Sequence, residues 1–124
     1  MELSNFENGI LMHNNVMKST IESDDLYVMH EDVYSYTVGM REIGAPELVL
    51  YGQRKTIAEE MFKIIYSAAA REYGKQDVGA IVKKVFDPAP GVVELSKSEK
   101  MALFYAARTF YESWSFDAYK IIIR

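Results

Sequence analysis

Hydrophobic positions along this chain keep two different spacings, and the places where one gives way to the other mark its elements. Phe6, Ile10, Met17 and Ile21 fall on one helical face. Ser4-Asn5-Phe6-Glu7 has the spacing of a capping box, so a helix is expected over about 4–23, with Gly9, Asn14 and Asn15 favouring a start near Ile10. "LYVMH" (26–30) and "VYSYTVGM" (33–40) then read as a hairpin turning at Glu31-Asp32. In its second strand Tyr34, Tyr36, Val38 and Met40 share one face, and Val33, Ser35, Thr37 and Gly39 share the other. The bulky face suits a core. The small face suits the close approach of a helix, a neighbouring chain or a ligand. "ELVLY" (47–51) is nearly continuous apolar sequence, as in a strand covered on both sides.

Beyond Gly52 the helical spacing returns. Thr56-Ile57-Ala58-Glu59 is a second capping box, predicting a helix to about Tyr73 with Gly74 as its stop. "GAIVKKVF" (79–86) reads as a strand and "DPAPG" (87–91) as a break. Ser96-Lys97-Ser98-Glu99 is a third capping box, opening a helix to about Glu112, and "FDAYKIII" (116–123) is a closing strand. The order α-β-β-β-α-β-α-β predicts one α+β domain over 1–124. Its sheet has about four to five strands, mostly antiparallel, with two or three helices packed on it. In the first long helix Ile57, Met61, Ile64, Ile65 and Ala68 form the main apolar face, leaving Phe62 and Tyr66 outside it. Phe110 and Trp114 look similarly unused. This surplus predicts a two-fold homodimer contact or a ligand cleft.

Charge and composition narrow the function. The net charge of −4 is uneven: residues 1–52 hold nine acids against Lys18 and Arg41, whereas the remainder holds the other twelve bases and nine acids. That is not the basic field of a duplex nucleic-acid binder. No apolar run approaches the ~20 residues of a membrane span. The absence of cysteine removes disulfides and thiolate chemistry. With no signal-like segment at Met1–Gly9, a cytoplasmic protein is expected.

The stretch "YSYTVGMREIGAPELVLYG" (34–52) carries Tyr34, Tyr36, Thr37, Gly39, Met40, Pro46, Glu47, Leu48 and Gly52 in a distinctive spacing. It resembles the signature of the domain of unknown function 4262 family of bacteria and their phages. The resemblance extends through "ALFYAARTFYESW" and "AYKIII", over roughly 26–124. It implies a domain and assigns no reaction. The chain departs from the family pattern in having "QRK" before its first long helix, where a proline-rich approach is usual.

Those bases supply the candidate chemistry. "GQRKT" (52–56) joins a strand to a helix, and free N–H groups at a helix start attract anions. Arg54, Lys55 and Thr56 are therefore candidate anion ligands, with Tyr105 and Arg108 of "FYAARTFY" as stacking and bidentate partners. The loop lacks the spacing of a P-loop. His30 with Asp24, Asp25, Glu31 and Asp32 lacks any metal-ligand spacing, so neither metal nor cofactor is expected. The two histidines, His13 and His30, define no triad from sequence. Three readings follow: a binding module for an anionic small molecule such as a nucleotide, a phage-type inhibitor of a host factor, or a hydrolase of unknown substrate.

Overall fold

The computed structural model describes residues 5–23, 25–72 and 77–123, with side chains from residue 13 onward. The cap at Ser4, the stop at Gly74, and Asp24 and Tyr73 lie outside the described residues. A first helix, α1 (Asn5–Glu22), precedes a hairpin of β1 (Tyr27–His30) and β2 (Tyr34–Val38). A 3-10 helix (Met40–Ile43) leads to β3 (Glu47–Tyr51), and two helices follow, α2 (Lys55–Arg71) and α3 (Val78–Val85). Then come β4 (Gly91–Glu94), α4 (Lys97–Leu103), α5 (Tyr105–Tyr111) and β5 (Ala118–Ile122).

The strands form one sheet in the order β1-β2-β3-β5-β4. Its pairings are antiparallel except β3 with β5, which run parallel from Glu47 opposite Ala118 to Leu50 opposite Ile121. Because side chains alternate, β3 feeds both faces. Leu48 and Leu50 enter a core with Ala58, Phe62, Ile65 and Ala69 of α2 and Ile81 and Val82 of α3. Val49 enters a second core with Met17 and Ile21 of α1, Tyr36, Phe104, Ala107 and Phe116. The sheet is thus sandwiched between helical layers, and the continuous apolar run of β3 is the sequence mark of burial on both sides. Each fully buried large side chain here contributes about 1.5–3 kcal/mol.

Several elements differ from expectation for identifiable reasons. Residues 79–86 form a helix rather than a strand. Asp77 caps α3 by accepting from the Ala80 N–H, and Val78, Ile81 and Val82 share its buried side at helical spacing. The expected helix from the Ser96 cap to about Glu112 is two helices, broken at Phe104, whose ring is fully buried. The strand β4 lies after the proline-rich break and is short and half-exposed, so its alternation is faint. The capping box at Thr56–Glu59 does not form. The N-cap lies two residues earlier, at Arg54, which offers no side-chain acceptor, and the helix starts at Lys55. The box at Ser96–Glu99 does form.

Two face assignments also change. Met40 does not continue the face of Tyr36 and Val38, because the chain turns at Gly39 and delivers Met40 to the α2 core. In α2 the buried side is Ala58, Phe62, Ile65 and Ala69, whereas Ile57 and Ile64 are each 41 % exposed. Phe62 is therefore core and contributes nothing to a surface surplus.

Gly39 sits at φ 118°, ψ −9°. A Cβ there would meet Ile21 Cγ1 at 3.4 Å, an ordinary contact. Its requirement for glycine is conformational, not the close packing its strand-face position suggested. Gly39→Ala is expected to lose about 1–2 kcal/mol, read as a lower midpoint in denaturant unfolding. An unchanged midpoint would show that the turn tolerates a side chain.

Candidate functional site

The two ends of β3 carry two polar constellations. At its start, Glu47 is fully buried. Its Oε1 accepts from Thr37 Oγ1 at 2.8 Å and from the Met40 N–H at 3.2 Å. Its Oε2 accepts from the Arg41 N–H at 3.0 Å and from the Tyr111 hydroxyl at 2.6 Å. The Tyr111 oxygen in turn accepts from the Gly39 N–H at 3.0 Å, and Thr37 Oγ1 accepts from the Leu48 N–H at 2.9 Å. The left-handed turn at Gly39 aims the next two N–H groups, of Met40 and Arg41, at one carboxylate, as in a backbone nest that binds an anion. Here the anion is the protein's own carboxylate. Among the described residues no cation pairs with it. Burial accordingly raises the Glu47 carboxyl above its ordinary 4.5, while its four donors pull the other way.

At the other end of β3 lies a cleft of about 380 Å³. Its floor is built by the hairpin: the Glu31 N–H donates to the Tyr34 carbonyl at 2.8 Å, and the Gly52 N–H donates to the Val33 carbonyl at 3.0 Å, tying the strand end to the turn. Gly52, at φ 72°, sends the chain through Gln53 and Arg54 into α2. Glu31 and Asp32 line it together with Tyr34, Ser35, Arg54 and Lys55. Tyr34 stacks on Tyr36 at 6.0 Å and leans on Tyr51 at 5.5 Å.

Behind Ser35 runs a chain of polar side chains. His30 and Ser35 are directly opposed in the β1–β2 register. His30 Nδ1 lies 2.8 Å from Ser35 Oγ, and His30 Nε2 lies 3.3 Å from Glu59 Oε2 of α2. Glu59 Oε1 pairs with Lys63 Nζ at 3.2 Å. Desolvation would raise the Glu59 carboxyl, but Lys63 and His30 outweigh it and hold it below its ordinary value.

Of the anion ligands expected from sequence, Arg54 and Lys55 line this cleft, and Thr56 follows them, exposed, in the first turn of α2. Tyr105 and Arg108 do not line it. They lie on α5, which packs with Tyr36 and Phe104 on the face of the sheet opposite α2, and Tyr105 is 75 % exposed. Tyr34 borders the cleft, but its ring shares the face of Tyr36 and packs against Tyr36 and Tyr51. A larger cleft, about 470 Å³, opens near the start of β3, where the described lining carries Glu72, Asp77 and Asp117 but no base. Asp77 is engaged in capping α3 and Glu72 pairs with Lys84. That lining is unsuited to an anion. No group of three or more His, Asp or Glu that could hold a metal ion occurs among the described residues.

The sequence profile described as "Domain of unknown function (DUF4262)" matches residues 20–124, and so spans every strand of the sheet. The chain belongs to the DUF4262 family. Neither the curated proteins nor the solved structures contain a match.

In this DUF4262 domain, the signature residues divide by role. Thr37, Gly39 and Glu47 are consumed in the buried knot, and the Tyr36 hydroxyl oxygen accepts from the Ala106 N–H at 3.0 Å, seating α5. Pro46 ends the loop that presents Glu47. Tyr34 and Gly52 alone border the cleft. The partnership of Ser35 and His30 with Glu59 was not read from the sequence. The available signal was the hairpin itself: residues symmetric about a short turn face each other, which pairs His30 with Ser35.

Glu47→Gln is expected to destabilise the domain by orphaning amide and hydroxyl donors, at about 1–3 kcal/mol for each group left unpaired. The wild-type advantage should depend on pH. Because the folded carboxyl titrates above 4.5, the folded state keeps a proton that the unfolded chain releases. The contribution of Glu47 is complete below 4.5 and is lost as pH rises through the raised value. Urea unfolding of both proteins from pH 4 to 8 should show the difference narrowing upward; a widening difference would reverse the assignment.

Proposed function

We propose that this DUF4262 domain is a small binding module for an anionic small molecule, with a nucleotide as the first candidate. The observation that carries the reading is the pairing of Arg54 and Lys55 on one wall of the cleft with the start of α2, whose cap supplies no side-chain acceptor. The first N–H groups of a 17-residue helix have no intrahelical partner and favour a negative group. Two bases at the positive end of a helix repel that end mildly, and an anion relieves both. Exposed charge pairs contribute only about 0–1 kcal/mol each, so useful affinity draws on the backbone N–H groups of the helix start as well. Glu31 and Asp32, which line the same cleft, suit hydroxyl or amino donors of the same ligand.

Calorimetric titration with nucleoside mono-, di- and triphosphates tests this directly. Binding heat should appear for wild type and fall at least tenfold in affinity for Arg54→Ala/Lys55→Ala. Equal heats from the two proteins, or none from wild type, would end the reading.

A second reading concerns self-association. Val93 and Met101 are about half exposed, Tyr105 more so, and β4 is an edge strand of the sheet. These, with the half-buried Phe110 and Trp114, support a two-fold dimer. Light scattering at tens of micromolar should return twice the mass of one chain; a monomer mass would reject it.

A further inference from the structure

The geometry points to Ser35 as a nucleophile, served by His30 as general base and oriented through Glu59, acting on a carboxylic ester that carries an anionic group. The placement of that anionic group rests on the cleft reading above. The nucleophile assignment does not.

Three observations converge. Ser35 is only 3 % exposed, yet it lines the cleft, so what exposure it has opens where a substrate would lie. Its Oγ is 2.8 Å from His30 Nδ1, within the reach required of a general base. The opposite ring nitrogen faces Glu59 at 3.3 Å. An ionised Glu59 accepts the Nε2 proton, which leaves Nδ1 as the unprotonated nitrogen facing the serine hydroxyl. Lys63 and His30 keep Glu59 in that ionised form. The nucleophile–base–acid logic is that of a serine hydrolase triad, recognised by geometry and roles rather than by order in the chain. The imidazole is used the other way round, with Nδ1 toward the serine.

The chemistry closes without a further reactant beyond water. Ser35 Oγ bonds to the acyl carbon while its proton passes to His30 Nδ1. The carbon–oxygen bond to the leaving alcohol breaks, and that alcohol takes the proton from His30. Water then attacks the acyl-serine, giving its proton to His30, which returns it to Ser35 Oγ as the acid departs. Ester and water become acid and alcohol.

The opposing account treats the same chain as a structural link between β1, β2 and α2. The two accounts predict different reactivity. Wild type would be incubated with a fluorophosphonate probe and the adduct located by peptide mass spectrometry. Hydrolysis of p-nitrophenyl acetate and of mono-p-nitrophenyl succinate would be followed alongside. One adduct on Ser35 is expected, in preference to every other serine. It should be absent in Ser35→Ala and slowed roughly 100-fold or more in His30→Gln. Glu59 is a positioning residue, so Glu59→Gln should lower kcat and leave KM and the melting temperature in place.

The succinate ester should be preferred over the acetate, and Arg54→Ala/Lys55→Ala should abolish that preference while Ser35 still reacts with the neutral probe. That last pattern separates the two readings. Loss of anion selectivity with intact labelling tests the cleft, and loss of labelling with intact anion binding tests the nucleophile. Absence of a Ser35 adduct in folded wild type, an adduct on a different residue, or undiminished labelling in His30→Gln overturns the proposal. If Ser35→Ala melts early, the His30→Gln rate and the site of the wild-type adduct still decide.

Discussion

A buried carboxylate with no counterion among the described residues sits at the centre of this domain, and the surrounding structure is arranged to make that tolerable. Glu47 occupies the first position of the central strand β3, buried between the sheet and α5. An unpaired buried charge carries a desolvation penalty of several kcal/mol. It is offset by donors drawn from separate segments: Thr37 on β2, two N–H groups of the 3-10 turn, and Tyr111 on α5. Those segments are held in mutual register by having one acceptor in common. Displacing any one strands a polar group in the core, so the knot acts as a checkpoint on the native arrangement, not merely as a source of cohesion.

This division explains why a recognisable signature does not by itself reveal an activity. Glycine, threonine and glutamate in a spaced motif invite a catalytic reading, yet here all three are satisfied internally. The residues free to meet a ligand belong to the turn at 31–33 and to the approach to α2. Arg54 and Lys55 stand at positions where the family pattern runs otherwise. The proposed recognition chemistry is therefore a feature of this chain, carried on a shared scaffold.

The sequence was legible where pattern and burial agree. β3 buries both faces and reads as unbroken hydrophobicity, the Ser96–Glu99 cap is local, and the hairpin around Glu31-Asp32 follows from alternation. It was misleading where two periods compete. Val78, Ile81, Val82 and Val85 are β-branched, a strand preference, but their spacing and the Asp77 cap make them a helix. The strand face of Tyr34, Tyr36 and Val38 continues in sequence to Met40, yet a single glycine at positive φ ends it. The cleft was half legible. Two bases before a helix can be read from the chain, but the partnership of Ser35 and His30 with Glu59, a full element away, depends on how α2 lies across the hairpin.

The parallel pairing of β3 with β5 has a consequence for how the domain comes into being. Everything from α2 to α5 lies in the crossover between those two neighbours, and β5 follows all other elements of the fold in the chain. While the polypeptide is still being synthesised, β3 has an open edge, β4 has no strand to pair with, and Phe116 and Ala118 have yet to close the second core. Closing so long a loop costs entropy before its contacts form. The nascent chain must therefore remain unfinished, with apolar strand edges uncovered, until the ribosome has released its last strand. Such a chain depends on rapid completion or on chaperone shelter in a way that a meander of the same size would not.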